Sequence, residues 1–269
     1  DENNVETIYT LSCLASSYSK NGNYSKALEL YQEVYEKKKE ILGENHPDTL
    51  MALNNLAYSY SDLGYHEKAL ELKQEAYEKE KEILGENHPD TLLALNNLAY
   101  SYGELGYHEK ALELKQKVYE KEKEILGENH PNALLALSNL AFSYGELGYQ
   151  EKALELKQKV YEKGKEILGE NHPDTLMALS NLAVFYNETG EKTRALELLK
   201  EVYEKRKEIL GENHPDTLMA LNNLAYSYGE FGYQEKALEL YQKVYEEKKG
   251  VLGENHPDTL LVLSNLACT

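Results

Sequence analysis

Residues 85–89 read Gly-Glu-Asn-His-Pro, and this string of five residues returns every 42 residues along the chain. Its six copies begin at Gly43, Gly85, Gly127, Gly169, Gly211 and Gly253. The similarity extends outward from the string, because residues 50–91 and 92–133 are identical at 35 of 42 positions. A fixed period in this range is typical of stacked supersecondary units, each of which buries its apolar face against the next.

The period predicts one elongated array over residues 1–269 rather than two globular domains. No linker or low-complexity segment interrupts the repeats. The expected repeats span approximately residues 7–48, 49–90, 91–132, 133–174, 175–216 and 217–258, followed by a partial first helix at 259–269.

Each repeat has the pattern of two helices. The apolar positions of residues 49–63 are Leu53, Leu56, Ala57 and Tyr60. Their spacing of three and four residues forms one stripe on a helix. Gly64 follows as a C-terminal cap, since glycine tolerates a positive φ. No segment alternates apolar and polar residues with a period of two, so the fold is predicted to be all-α.

A second helix is expected over residues 65–84, closed by Gly85. Its apolar side is predicted to comprise Ala69, Leu72, Ala76, Tyr77, Ile83 and Leu84. Pro89 then interrupts the chain before the next first helix. Either His88 or Asp90 is the expected N-cap, and the sequence leaves that choice open.

These positions resemble a known repeat family. Leu53, Leu56, Ala57, Tyr60, Gly64 and Ala69 stand at the spacings of the tetratricopeptide repeat signature. Two differences are the absence of tryptophan and the period of 42 where 34 is usual. Leu-Gly-Glu-Asn-His-Pro-Asp-Thr at residues 84–91, followed by Asn-Asn-Leu-Ala, resembles the long repeats of kinesin light chains and similar bacterial and fungal proteins. The resemblance implies a right-handed superhelical solenoid of antiparallel helix pairs that acts as a binding scaffold.

Charge and composition exclude several classes of function. The chain has 47 Asp and Glu residues against 29 Lys and Arg, a formal charge of −18, which disfavours nucleic acid and anionic membranes as partners. No run of 18 or more apolar residues exists, and no signal peptide is visible. The two cysteines, Cys13 and Cys268, form no disulfide framework, so a reducing, cytoplasmic location is expected.

No enzyme, cofactor or metal site is predicted. The sequence has no nucleophile elbow, no phosphate-binding glycine loop and no unique catalytic constellation. Six histidines recur once per repeat, always before proline, at positions 46, 88, 130, 172, 214 and 256. Histidines of successive repeats are separated by a helix pair, too far apart to share one zinc ion.

A candidate binding surface lies opposite the core stripe of the first helix, and we call it the first-helix face. Its asparagine row is Asn55, Asn97, Asn139, Asn181 and Asn223. Its aromatic row is Tyr58, Tyr100, Phe142 and Tyr226, with Val184 at the equivalent position of the remaining repeat. Its acidic row is Asp62, Glu104, Glu146, Glu188 and Glu230. The resemblance places this face in the concave groove, where the asparagines would bind the backbone of an extended peptide.

The acidic row would favour Lys or Arg in that ligand, and the aromatic row would add contact area. Other interpretations stay open: the asparagines could fix the stacking of repeats, and the acids could be solvated surface charge. The array is therefore expected to bind a protein or an extended, basic peptide. The alternatives are a structural spacer or assembly element, or the regulatory array of a larger signalling protein. End-to-end self-association through uncapped repeats is a further expectation.

Overall fold

The computed structural model describes residues 5–268, with side chains from residue 6 to residue 267. These residues form thirteen α-helices and no strand, which confirms the all-α prediction. The first helices of the repeats are α1 (Val5–Lys20), α3 (Pro47–Asp62), α5 (Pro89–Glu104), α7 (Pro131–Glu146), α9 (Pro173–Glu188), α11 (Pro215–Glu230) and α13 (Pro257–Cys268). The second helices are α2 (Tyr24–Leu42), α4 (His66–Leu84), α6 (His108–Leu126), α8 (Gln150–Leu168), α10 (Lys192–Leu210) and α12 (Gln234–Leu252).

The helices group into two compact units. The first contains α1 to α7 and ends at Leu147, and the second contains α8 to α13 and begins at Gly148. Within each unit a helix packs mainly on the helices before and after it in the chain. That pattern is the local packing of a repeat solenoid. The single array over the whole chain and the right-handed superhelix stay predictions.

The recurring loop decides where each first helix begins. Helix α5 starts at Pro89, two residues earlier than the spacing predicted, because proline fits the first helical position, where no N–H is needed. The choice between the two candidate N-caps falls on His88. Its Nδ1 accepts a hydrogen bond from the backbone N–H of Asp90 at 3.2 Å. Asp90 lies in the first turn, where its negative charge favours the helix dipole.

The glycine at the start of the loop ends each second helix. Gly85 has φ +86° and ψ 160°, a backbone conformation that is essentially restricted to glycine. Its N–H donates to the Lys81 carbonyl at 3.1 Å and so closes the last turn of α4. This geometry turns the chain sharply between one repeat and the next.

The predicted core stripe is buried. Leu53, Leu56 and Ala57 cluster with Leu72 and Ala76 of the following helix, and Tyr60 packs against this cluster. Truncating one of these leucines to alanine would cost about 2–5 kcal/mol. The prediction for the end of the second helix was wrong for Ile83, which is 44% exposed. In the same last turn of α4, Leu84 is half-buried, so the predicted apolar side is only partly covered there.

The sequence spaces Glu75 and Lys79, and likewise Glu113 and Lys117, four residues apart on the second helices, a spacing that predicts i, i+4 ion pairs. The structure follows this pairing only in part. Lys79 Nζ lies 2.8 Å from Glu75 Oε1, as the spacing predicts. Glu113 instead pairs with Lys110 at 2.9 Å, because an i, i+3 partner is equally close on a helix.

Candidate ligand-binding face of the first helices

The aromatic row is exposed on the first-helix face. Tyr58, Tyr100 and Phe142 of the first unit are between 43% and 50% exposed, and Tyr226 of the second unit is 49% exposed. Val184, the aliphatic member of the series, is half-buried. Because these four aromatic side chains point away from the core stripe, each of the four repeats that carry them offers one large apolar group to the solvent at the same place.

The asparagine row is engaged in stacking. Asn139 donates from Nδ2 to Asn96 Oδ1 on the preceding first helix at 3.2 Å. In the second unit, Asn223 donates from Nδ2 to the hydroxyl of Ser180 at 3.4 Å. Asn55 is half-buried, Asn97 is buried and Asn181 is exposed. At these two positions the asparagine side chain links one first helix to the first helix of the preceding repeat.

The acidic row is exposed and linked to neighbouring repeats. The Ser19 hydroxyl donates to Asp62 at 3.3 Å, and the Ser61 hydroxyl donates to Glu104 at 3.1 Å. Burial raises the pKa of Asp62, the hydrogen bond from Ser19 opposes that rise, and the negative charge of Glu104 adds to it. The remaining members, Glu146, Glu188 and Glu230, are exposed, and Glu230 lies 3.5 Å from Lys192.

Two buried lysines lie beneath the aromatic row, and the sequence analysis missed them. Lys73 on α4 is only 1% exposed, and its Nζ lies 4.5 Å from the centre of the Tyr58 ring. Lys115 on α6 is 4% exposed, with Nζ 4.7 Å from the Tyr100 ring and 5.4 Å from the Phe142 ring. These distances are those of cation–π contacts.

Burial lowers the pKa of Lys115 to about 8, and the charge of Glu146 opposes that change. Burial likewise lowers the pKa of Lys73, against the charges of Glu104 and Asp62. Lys115 also donates to the Ser143 hydroxyl at 2.9 Å. The first-helix face of this unit thus combines a surface row of acids with cations beneath the rings, so the lysines offset part of its negative charge.

A signal for these lysines was present in the sequence. The equivalent positions in the other repeats, 42 residues apart, are Tyr31, Lys157, Leu199 and Tyr241, so three of these four are large apolar or aromatic residues. A position that holds leucine or tyrosine in other copies of the same unit is expected to be buried in all copies. The helical pattern of a single repeat hides this, because a lysine there is counted as solvent-facing.

Two cavities open between consecutive first helices of the first unit. One has a volume of about 230 Å³ and is lined by Met51, Asn54 and Tyr58 of α3, Glu80 of α4 and Asp90 of α5, among others. We call it the Glu80 pocket. The other has a volume of about 280 Å³ and includes Glu122 of α6 in its wall; we call it the Glu122 pocket.

Glu80 is a buried carboxyl group of this face with a strongly raised pKa. It is 6% exposed, and its Oε1 accepts a hydrogen bond from Asn54 Nδ2 at 3.4 Å. Burial, reinforced by the charge of Asp90, raises the pKa of Glu80 to about 7. Glu122 is 8% exposed, and burial raises its pKa against the opposing influence of His130.

Neither a metal centre nor a membrane-spanning helix occurs among the described residues. Among residues 6–267, no three His, Cys, Asp or Glu side chains are grouped closely enough to hold a metal ion. No helix in the described range is long and apolar enough to cross a membrane.

Comparison with known proteins places these features in a family. The profile of the tetratricopeptide repeat matches residues 6–79, 60–121, 90–163, 151–208 and 174–249. The chain therefore belongs to the tetratricopeptide repeat family, as the resemblance implied. A search of curated proteins found no match.

Solved structures agree with this assignment. A kinesin light chain of nearly identical TPR-like repeats from Podospora anserina is 29% identical, with a TM-score of 0.61, covering 76% of this chain and 97% of that one. BtubC (BKLC) from P. vanneervenii is 20% identical with a TM-score of 0.62, covering 89% and 93%. NprR in complex with its cognate peptide NprX is 16% identical with a TM-score of 0.65, covering 97% and 72%. The chain thus has the fold of tetratricopeptide solenoids, including long-repeat members of the kinesin light chain kind.

Proposed function

We propose that the chain is a binding scaffold for extended polypeptide segments, which lie along the first-helix face. The observation that carries the proposal is the aromatic row, in which Tyr58, Tyr100 and Phe142 of one unit stay about half exposed at intervals of one repeat. Large apolar groups held at the surface in a regular series are typical of interaction sites. Tyrosine and phenylalanine are also enriched at interfaces.

Polar groups beside the rings suit the backbone and side chains of such a segment. The amide of Asn181 is exposed and offers both a donor and an acceptor. The acidic row favours basic side chains in the ligand, although Lys73 and Lys115 reduce that preference near the rings. Ligands with alternating basic and apolar side chains fit this arrangement better than uniformly basic ones.

The solved neighbours support the class of ligand. NprR has been solved in complex with its cognate peptide NprX, and a Rap protein has been solved complexed with competence and sporulation factor. Their identity to this chain is 16% and 15%, so the shared feature is the fold. Binding by the present chain remains a proposal that rests on its own surface.

The test is a random-peptide display screen with the wild type and two four-fold variants. The first variant replaces the aromatic row by alanine at Tyr58, Tyr100, Phe142 and Tyr226. The matched control replaces four equally exposed tyrosines at the starts of second helices, namely Tyr65, Tyr107, Tyr149 and Tyr233. Circular dichroism must first show that both variants fold.

We expect peptides selected by the wild type to lose at least tenfold in affinity for the aromatic-row variant, and to keep it for the control. Truncating a tyrosine that acts as a binding hot spot costs about 2 kcal/mol or more. A tenfold loss of affinity corresponds to about 1.4 kcal/mol. Equal loss in both variants would contradict the assignment of the face. If the wild type enriches no peptide, a structural spacer becomes the better description, in agreement with the stacking contact of Asn139 with Asn96.

A further inference from the structure

One position of the second helix changes its charge from repeat to repeat. Its six occupants, each 42 residues after the last, are Lys38, Glu80, Glu122, Gly164, Arg206 and Lys248. Where the residue is a cation, it reaches the first turn of the next first helix. Lys38 Nζ donates to the Asp48 carbonyl at 3.3 Å, and Arg206 Nη1 donates to the Asp216 carbonyl at 2.9 Å. The fold therefore has a place for a cation at this junction.

Glu80 puts an acid where those repeats have a cation. Its Oε2 is buried and has no hydrogen-bond donor among the described residues, and the same holds for Oδ1 of Asn54. Asp90 adds a third acceptor group to the Glu80 pocket. A buried acceptor without a donor costs free energy, and an uncompensated carboxylate costs more. Burial and the negative charge of Asp90 raise the pKa of Glu80.

The lining of the Glu80 pocket is partly apolar. Met51, Tyr58 and Leu93 line it together with the polar groups. A ligand that matches both parts has an aliphatic stem and a head group that only donates hydrogen bonds. Lysine and arginine side chains have this combination.

We propose that the Glu80 pocket binds the side chain of a lysine or arginine from a polypeptide ligand, with Glu80 and Asn54 accepting hydrogen bonds from its head group. The Glu122 pocket, one repeat further along, binds a second such side chain. This inference rests on the proposed function in naming a polypeptide as the source of the cation. The bound cation occupies the junction that Arg206 fills with the chain's own guanidinium in the second unit.

The three methionines of the chain provide the readout. Met51 lines the Glu80 pocket, whereas Met177 and Met219 occupy the equivalent positions of repeats that carry Arg206 and Lys248. We would label the methionine methyl groups with ¹³C and titrate the protein with N-acetyl-arginine amide and N-acetyl-lysine amide near pH 8. N-acetyl-norleucine amide serves as the uncharged control, and Met51→Leu assigns the signal.

We expect the Met51 signal to shift saturably with one or both cationic probes, while the signals of Met177 and Met219 stay in place. The variant Glu80→Gln keeps the shape of the pocket and should weaken the probe at least tenfold. The variant Glu80→Arg places the chain's own guanidinium at this junction, as Arg206 does in the second unit, and should abolish the shift. The control Glu82→Gln, at an exposed position of the same helix, should leave the Met51 shift unchanged.

Equal shifts of all three methionines, an equal response to norleucine amide, or no shift at saturating probe would each overturn the proposal. An unaltered response of Glu80→Gln would overturn it as well. The amide probes do not depend on the peptide screen, so the two tests can fail separately. A Met51 shift without any peptide selected would leave the cation site standing and remove the scaffold function.

Discussion

The variant Glu80→Gln should stabilise the protein in neutral and alkaline solution and have almost no effect in acid. Glu80 is 6% exposed, and its pKa is raised from 4.5 to about 7 by burial and by Asp90. The folded state therefore holds this proton more tightly than the unfolded state does. Protonation favours folding, and that stabilisation is lost as the pH rises from about 4.5 to about 7.

The magnitude follows from the size of the pKa change. A rise from 4.5 to about 7 corresponds to at most roughly 3.5 kcal/mol of free energy of unfolding. The Glu80 pocket is open to water on one side, so we expect about half of this, roughly 1–2 kcal/mol. Glutamine carries no charge and keeps an amide oxygen that can accept from Asn54, so the variant removes the pH-dependent part and little else.

The assay is urea denaturation followed by circular dichroism between about pH 5 and pH 8. The difference between Glu80→Gln and the wild type should grow from near zero to about 1–2 kcal/mol over that interval. Glu82→Gln, an exposed position on the same helix, should show no such trend. A stability difference that is the same at both ends of the pH range would refute the reasoning, because it would mean that Glu80 is not ionising in this window.

Three further changes test other parts of the structure by the same denaturation assay. The wild type should gain about 1–2 kcal/mol of stability between about pH 8 and 10.5, because Lys115 has a pKa of about 8 in the folded state and loses its proton more readily there than in the unfolded chain. Lys115→Met should abolish this gain, and the same dependence of stability on pH in both proteins would contradict the argument. Asn139→Ala should cost about 0.5–1.5 kcal/mol, since it removes the hydrogen bond to Asn96, and an unchanged midpoint would argue against that contact. Gly127→Ala should cost about 1–3 kcal/mol because φ is +89°, whereas Gly250→Ala, inside a helix with open space around it, should gain about 0.5–1 kcal/mol; a gain at both glycines would contradict the backbone argument.

The helix pair could be predicted from sequence because its determinants are local. The stripe of Leu53, Leu56 and Ala57, the glycine caps and the proline all act within one repeat, and the structure confirms them. The choice of His88 as N-cap could not be predicted, since it depends on which side chain reaches the Asp90 amide. The exposure of Ile83 could not be predicted from the pattern of one helix either, because burial depends on which neighbouring elements cover that turn.

Only those features of the candidate site that depend on a single helix could be predicted from the sequence. The aromatic row is exposed where the helical wheel places it, although binding there stays a proposal. The buried Lys73, Lys115 and Glu80 were missed, because each is polar in its own repeat and buried by a neighbouring one. Comparing the same position across repeats can reveal such residues. The repeats share one backbone, so a polar residue at a position that is apolar in other copies is expected to be buried.

The loop with its glycine end and histidine cap has a consequence for how such a chain can change its length. Every copy begins with Gly-Glu-Asn-His-Pro, so a crossover between any two copies joins the same helix end to the same helix start. A gain or loss of 42 residues at these joints preserves each cap and each turn. The number of repeats can therefore vary by recombination without a new junction having to evolve, while single substitutions at the position of Glu80 and Arg206 give each copy its own charge.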